Sequence, residues 1–160
     1  MSGVKSVLSV LLLCFLLASC SERVRLQKKA EAGDASAQLN LGSLFETGVD
    51  GPKNEEEAVR LYFKAAEQGY QPAQRRVGMI YLYGRLGVVR DYAKAVEWLR
   101  KAAEDETDSL TQRLLGEMYE EGKGVPQDYA EAVKWYRKAA EQGDADAMEW
   151  LEKNAKENGE

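Results

Sequence analysis

The sequence predicts an all-α solenoid built from three pairs of helices and a C-terminal capping helix. Three segments align with one another, residues 33–68, 69–105 and 106–142, and a period of this length is typical of helical repeat arrays. Glycines and alanine pairs recur at the same places in every segment. The aligned positions are Gly42, Gly78 and Gly116, then Gly48, Gly84 and Gly122, then Ala65-Ala66, Ala102-Ala103 and Ala139-Ala140.

Each segment contains two predicted helices, A and B. In helix A of the second segment the apolar residues Ala73, Val77, Ile80 and Tyr81 have the spacing of one helical face. The first recurring glycine lies beside this face, where we expect a neighbouring helix to pack against the backbone. The second recurring glycine is predicted to end helix A. Helix B is predicted to begin after the N-cap residues Asn54, Asp91 and Asp128, with Glu57 and Glu131 completing capping boxes.

The composition excludes several classes of function. The 160 residues include 22 Lys and Arg against 27 Asp and Glu, which gives a formal net charge of −5 and disfavours nucleic-acid binding. The absence of histidine excludes His-based general-base catalysis, and two cysteines cannot form a four-cysteine metal site or a disulfide framework. Because no nucleophile–base pair is evident either, we expect no enzyme activity, no metal site and no cofactor.

The N-terminus predicts a secretory signal peptide over residues 1–19. This segment contains no acid and one base, Lys5, and its apolar run over residues 7–18 is shorter than the roughly 20 residues that span a bilayer. The run ends in the letters LASC, which resemble the lipobox of a bacterial lipoprotein signal peptide. This resemblance implies cleavage before Cys20 and lipidation of its thiol. Palmitate is among the usual acyl groups of such proteins. The alternatives are an ordinary cleaved signal and a buried apolar helix.

The mature chain is therefore expected to begin at Cys20 and to continue through a short tether over residues 20–32. The resemblance to bacterial lipoproteins also implies a location. In enterobacteria-like sorting, a residue other than aspartate after the cysteine, here Ser21, favours the outer membrane, and the repeats are then expected to face the periplasm. Cleavage and lipidation would leave no free thiol and no disulfide, so stability is expected to come from packing alone.

The repeat resembles the Sel1-like repeat, a relative of the tetratricopeptide repeat. The matching sequence is GEMYEEGKGV at residues 116–125, followed by Asp128-Tyr129 and by AVKWYRKAA at residues 132–140. The resemblance implies a right-handed superhelix of antiparallel helix pairs over residues 33–160, with residues 143–160 as its cap. Some Sel1-like relatives are linked to β-lactam binding or hydrolysis, but their repeats carry cysteine pairs that this chain lacks, so such an activity is disfavoured.

Residues that depart from the repeat are the candidates for partner binding. In tetratricopeptide-like geometry one face of helix A lines the concave surface, and the second segment is apolar and aromatic there. This segment has a net charge of +3, against −4 and −3 for its neighbours, and Tyr, Met and Arg are typical interface anchors. The alternative is that Met79 and Leu82 pack against a neighbouring helix A. The predicted surface comprises Arg75, Met79, Leu82 and Tyr83, with Arg113, Glu117 and Glu120 at the equivalent positions of the third segment.

The predicted function is thus a non-catalytic, monomeric repeat lipoprotein of the bacterial envelope that binds a protein partner in the periplasm. An alternative implied by some Sel1-like lipoproteins is an immunity protein that neutralises a toxic effector, such as a phospholipase delivered by type VI secretion. The hydrolase remains a third and disfavoured alternative.

Overall fold

The computed structural model describes residues 23–104 and 108–157, and these residues form eight helices. The first helix, α1, is described over residues 23–31. The chain divides into two compact units, Met1–Gln68 and Gly69–Glu160, so that α1–α3 belong to the first and α4–α8 to the second. The later helices are α2 (Ala35–Thr47), α3 (Glu55–Glu67), α4 (Gln71–Tyr83), α5 (Tyr92–Ala102), α6 (Ser109–Glu121), α7 (Tyr129–Glu141) and α8 (Ala145–Glu157).

Helices A and B of each repeat pack as a pair, α2 with α3, α4 with α5 and α6 with α7. In the second unit α5 also contacts α6, and α8 packs on α7. The core of the first unit includes Leu41 and Leu61, whereas the second unit has one cluster around Leu99 and another around Tyr136. The predicted all-α fold of paired helices is thereby confirmed.

The predicted starts of helix B are confirmed, and their hydrogen bonds also link the two helices of each repeat. Each N-cap side chain accepts a hydrogen bond from the backbone N–H three residues later, at 3.0 Å. The second half of the predicted capping boxes is absent, because Glu57 accepts from Arg60 Nε at 2.7 Å and Glu131 from Lys134 Nζ at 2.8 Å. The N-cap N–H donates to a helix A carbonyl instead: Asn54 to Phe45, Asp91 to Tyr81 and Asp128 to Tyr119.

A glycine in the left-handed region ends every helix A, as predicted. The φ angles are 74° for Gly48, 63° for Gly84 and 65° for Gly122, and each glycine N–H donates to the carbonyl four residues earlier. A residue with a Cβ would be strained in this conformation, whereas glycine adopts it freely. The chain can therefore turn directly toward helix B after each of these glycines.

The helical glycines lie where helix A meets helix B, which confirms their predicted packing role. A Cβ placed on Gly78 would lie 2.7 Å from Leu99 Cδ2, and one on Gly42 would lie 2.7 Å from Tyr62 Cε1. At Gly116 the nearest atoms of the facing ring would be 3.1 Å away. Non-bonded carbons prefer about 3.5–4.0 Å, so any side chain here would force the pair apart.

Gly78→Ala should therefore lower the free energy of unfolding by about 1–2 kcal/mol. Overpacking costs about 1–3 kcal/mol, and the higher helix propensity of alanine offsets up to about 1 kcal/mol of it. Leu99 is fully buried, and its backbone N would also lie 3.3 Å from the added Cβ. Urea denaturation measures the change, and Gly116→Ala, with its larger separation, should lose less. A Gly78→Ala protein as stable as the parent would show that the two helices are not in close contact.

Residues 23–31, which fall within the tether predicted at residues 20–32, are helical instead. Ala30 is buried in the core of the first unit, and Leu26, four residues earlier, packs against the same cluster. Residues four apart share one face of a helix, so this stretch is amphipathic although bases surround its apolar positions. The tether prediction is corrected over these residues.

The predicted signal peptide over residues 1–19 and the predicted lipidation site, Cys20, lie outside the described residues. Within residues 23–104 and 108–157, no helix combines the length and the apolar character needed to cross a bilayer.

Candidate functional site

Arg75, predicted to bind a partner, contacts a buried carboxylate within the protein. Its NH1 atom lies 3.3 Å from Oδ1 of Asp108, which is 8% exposed and is the N-cap of α6. Asp108 also accepts hydrogen bonds from Gln71 Nε2 at 2.6 Å, from Thr111 Oγ1 at 2.7 Å and from Thr111 N at 3.2 Å. One carboxylate therefore caps α6 and joins it to α4.

Arg113 repeats this arrangement between α6 and α8. Its Nε atom lies 3.3 Å from Oδ2 of Asp144, whose other oxygen accepts from Ala147 N at 2.9 Å. Its NH1 atom donates to Glu117 at 2.6 Å, and its NH2 atom lies 3.6 Å from Asp146. Desolvation opposes the charged form, but the carboxylates of Glu117 and Asp144 outweigh it and raise the pKa of Arg113. This cluster is occupied in holding α8.

Leu82, predicted to lie exposed on the partner-binding face, is 9% exposed and belongs to the same core cluster as Leu99. The prediction that Leu82 is exposed is therefore corrected. Leu82 on helix A and Leu99 on helix B replace the two members of a polar pair that the other repeats contain. In those repeats a helix B tyrosine hydroxyl donates to a helix A glutamate. The two pairs are Tyr62 with Glu46, at 2.6 Å, and Tyr136 with Glu120, at 2.8 Å.

Glu120 holds the capping helix against the last repeat. Its Oε2 atom accepts from Tyr136 Oη at 2.8 Å and its Oε1 atom accepts from Trp150 Nε1 at 3.0 Å. The rings of Tyr136 and Trp150 stack with their centroids 4.1 Å apart. Burial and the hydrogen bond to Glu120 raise the pKa of Tyr136 far above its ordinary value. Both oxygens of Glu120 thus serve the fold.

The connection between α4 and α5 presents apolar and cationic side chains to solvent. Tyr83 is 51% exposed and Val89 is 84% exposed, while Met79 is partly buried against the Leu82 cluster. Arg85 lies over the Tyr83 ring, with its guanidinium carbon 6.0 Å from the ring centroid. We use the name α4–α5 surface for the exposed residues Tyr83, Arg85, Val89 and Arg90.

Further cations surround the aromatic rings beside this surface. The Arg90 guanidinium lies 5.7 Å from the Tyr92 ring centroid, and its NH1 atom donates to Tyr92 Oη at 3.1 Å. Lys123 approaches the same ring to 5.9 Å, and Lys94 lies 5.4 Å from the Tyr81 ring. The sequence identified the basic repeat through its charge, to which Arg85 and Arg90 contribute, but the predicted binding face was one side of helix A and did not include Arg85, Val89 or Arg90.

Across the described part of the chain, no three Cys, Asp or Glu side chains are grouped so that they could hold a metal ion. Glu57, the last residue of the acidic run at the start of α3, is engaged locally, because the Arg60 guanidinium binds it and lowers the pKa of that carboxyl.

A family model of the Sel1 repeat matches residues 35–70, 71–106 and 109–144. The chain belongs to the Sel1 repeat family. The matched Sel1 repeats begin two or three residues after the segments predicted from the glycine alignment. All residues of the α4–α5 surface lie in the second Sel1 repeat.

Solved structures share this fold. The Sel1 repeat protein from Oxalobacter formigenes is 37% identical with a TM-score of 0.75, and the match covers 81% of this chain and 96% of that one. A protective antigen present in uropathogenic Escherichia coli strains is 46% identical with a TM-score of 0.74, covering 78% of this chain and 26% of that one. The cysteine-rich protein B of Helicobacter pylori is 24% identical with a TM-score of 0.58 over 83% of this chain and 92% of that one, which shows a likeness of fold alone.

Two curated relatives are longer eukaryotic proteins. Chitin synthase regulatory factor 2 of Schizosaccharomyces pombe is 32% identical over 104 residues, which cover 63% of this chain and 20% of the relative. An ERAD-associated E3 ubiquitin-protein ligase component of Arabidopsis thaliana is 35% identical over 68 residues, which cover 42% of this chain and 10% of the relative. The chain therefore spans a fifth or less of the length of these relatives, and the likeness is confined to that part.

Proposed function

We propose that this Sel1 protein is a non-catalytic binding module that docks a protein partner on the α4–α5 surface. The observation that carries the proposal is the exposure of Tyr83 and Val89, at 51% and 84%, beside two exposed arginines. Tyrosine and arginine are enriched among the residues that dominate binding energy at protein interfaces. A single exposed apolar residue is ordinary, but a group flanked by arginines is typical of an interaction site.

The backbone of this surface is held by hydrogen bonds within the second repeat. Leu86 adopts a positive φ of 55°, and the Val88 N–H donates to the Arg85 carbonyl at 3.0 Å. The Asp91 N–H donates to the Tyr81 carbonyl at 3.0 Å and closes the loop on the end of α4. A loop held by its own hydrogen bonds loses less conformational entropy on binding than a loop without them, so more of the contact energy remains as affinity.

The charge of the surface selects the kind of partner. Arg85 and Arg90 are exposed, Lys94 and Lys123 lie close by, and the rest of the chain is acidic. The matching partner surface is an acidic rim around an apolar pocket that receives Tyr83 or Val89. Charges at the rim of such an interface mainly raise the association rate and exclude partners of the same sign.

A photo-crosslinking amino acid at position 83 tests the docking surface in cells. The matched controls carry the same amino acid at the equivalent helix ends, positions 47 and 121. We expect one discrete protein adduct from position 83, and none or a weaker one from the controls. Arg85→Glu with Arg90→Glu should reduce the adduct at least about tenfold, while Lys28→Glu with Lys29→Glu should leave it unchanged. Equal adducts from all three positions would contradict the proposal.

The proposal places the module at the bacterial outer membrane, lipid-anchored through Cys20, with its repeats facing the periplasm. The support is the LASC sequence at the end of a short apolar run. More than one acyl chain gives stable anchoring where a single chain would be marginal.

Cys20→Ala should block lipid labelling and normal processing, and the protein should leave the membrane fraction. Metabolic labelling with a palmitate analogue and cell fractionation measure these effects. Cys14→Ala, which changes the other cysteine of the chain, should behave as the parent. A Cys20→Ala protein that is processed efficiently and stays with the membrane would show that the anchor is wrong.

A further inference from the structure

The first unit contains a cavity of about 270 Å³ between α1, α2 and α3. Its apolar lining is formed by Ala30, Leu41, Phe45 and Leu61. Exposed charged residues at its mouth, among them Glu31, Arg60 and Lys64, show that the cavity opens to solvent. The cavity uses none of the residues of the α4–α5 surface.

The equivalent place in the third repeat is filled by an indole. Trp135 on α7 occupies the repeat position that Leu61 occupies on α3. Trp135 packs against the two core clusters that contain Ala103, Leu115 and Tyr119. In the repeat alignment these three residues correspond to the cavity residues Ala30, Leu41 and Phe45.

A smaller cavity lies beside α7, the helix that carries Trp135. Its volume is about 130 Å³, and it is lined by Gln112, Lys138, Glu141 and Gln142. Gln112 and Lys138 correspond to Gln38 and Lys64, which line the larger cavity of the first unit. Two of the four residues that line the smaller cavity thus match residues of the larger one, and the larger cavity lies in the repeat that has leucine in place of tryptophan.

A lysine covers the indole in each repeat that has one. The Nζ atom of Lys101 lies 4.3 Å from the Trp98 ring centroid, and that of Lys138 lies 4.6 Å from the Trp135 ring centroid. The first repeat keeps the lysine, as Lys64, one turn after Leu61. An ammonium group over an aromatic face is attracted by the ring quadrupole, and the first repeat contains no tryptophan for Lys64 to cover.

We infer that the cavity between α1 and α3 binds the tryptophan side chain of a protein partner, with Lys64 over the indole face. The size and chemistry of the site follow from the third repeat, where the same framework holds an indole. Trp135 Nε1 is buried and has no hydrogen-bond partner in the described part of the chain. Packing and the lysine therefore hold the ring, and the site in the first repeat needs no acceptor for the indole N–H.

Saturation-transfer NMR with the full chain and N-acetyl-tryptophanamide tests this site. The amide models a tryptophan within a polypeptide, and N-acetyl-leucinamide is the matched apolar control. We expect saturable binding of the tryptophan amide with a dissociation constant on the order of 1 mM, as for one small group in one pocket, and no binding of the leucine amide. Free indole forms a third arm, because it distinguishes a small aromatic molecule from a protein side chain.

Two variants locate the binding. Leu61→Trp supplies the missing indole, so it should abolish binding of the tryptophan amide and raise the melting temperature. Lys64→Gln should weaken binding of the tryptophan amide about threefold, because the cation–π contact is lost. Lys28→Gln removes one positive charge from α1 instead of α3 and should leave the binding unchanged. Circular dichroism checks that each variant is folded. If the Leu61→Trp protein does not fold, Lys64→Gln still tests the site.

Three outcomes would overturn the inference. The first is no binding of the tryptophan amide, or equal binding of the leucine amide. The second is binding of free indole without the amide, which would assign the cavity to a small molecule. The third is unchanged binding to a folded Leu61→Trp protein. Each of these leaves the crosslinking result at position 83 unaffected, so failure here is distinguishable from failure of the α4–α5 surface.

Discussion

Leu82→Glu should destabilise the protein by more than about 3 kcal/mol, because it buries a carboxylate without a hydrogen-bond donor. Leu82 lies in the core cluster of the second unit together with Leu99, and that cluster is apolar. In the other repeats the glutamate at this position accepts from a tyrosine hydroxyl, which leucine at position 99 cannot provide. Urea denaturation followed by circular dichroism measures the loss.

A second substitution in the same chain tests the cause. Leu99→Tyr combined with Leu82→Glu recreates the pair of the first and third repeats and should recover at least half of the lost stability. The combination of Leu82→Glu with Leu99→Phe adds the ring without the hydroxyl and should recover little. Equal recovery of stability with Leu99→Phe would show that loss of the hydrogen-bonded Glu–Tyr pair does not explain why leucine occupies both positions in the second repeat.

Asp108→Ala should cost about 3 kcal/mol of unfolding free energy. Loss of an N-cap accounts for about 1 kcal/mol. The remainder comes from Gln71, Arg75 and the Thr111 hydroxyl, which all donate to this buried carboxylate and would lose their acceptor. Thermal and urea unfolding of the variant measure the change.

Asp91→Ala is the matched control for Asp108→Ala. Asp91 caps α5 through Lys94 N at 3.0 Å, and its ion-pair partner, Lys94, belongs to the same helix turn. Removing it deletes a cap without breaking a link between repeats, so a clearly smaller loss is expected. Losses of equal size would mean that the contacts of Asp108 with α4 add nothing to stability.

Helix boundaries were predictable from the sequence because each depends on one residue and its near neighbours. Asn54 caps α3 with its own side chain, and Gly48 ends α2 through its own backbone conformation. The packing role of Gly78 was predictable for a similar reason, since a glycine inside a helix is costly unless another group approaches it.

Tertiary partners were not predictable, because no local pattern encodes them. Arg75 and Asp108 are 33 positions apart, and nothing in the sequence of α4 indicates their contact. Leu82 looked like a docking residue because its departure from the repeat was considered alone. Only the structure shows that Leu82 and Leu99 share one cluster, so that the two departures compensate each other.

Changes of volume are equally invisible to a pattern of apolar positions. Leucine at position 61 keeps the apolar character of Trp98 and Trp135, so the sequence gives no sign that a cavity opens there. The helix over residues 23–31 was not predicted for another reason. Its basic residues suggested a polar tether, whereas Leu26 and Ala30 pack in the core of the first unit.

We propose that the departures of the second repeat divide into a buried part that serves the fold and an exposed part that serves docking. The most direct test is the Tyr83→Thr protein, which carries the residue of the first repeat at this position, with the photo-crosslinker at position 89. We predict a melting temperature within about 2 °C of the parent, as for a surface substitution, together with loss of the adduct. A large fall in melting temperature, or an undiminished adduct, would contradict the claim.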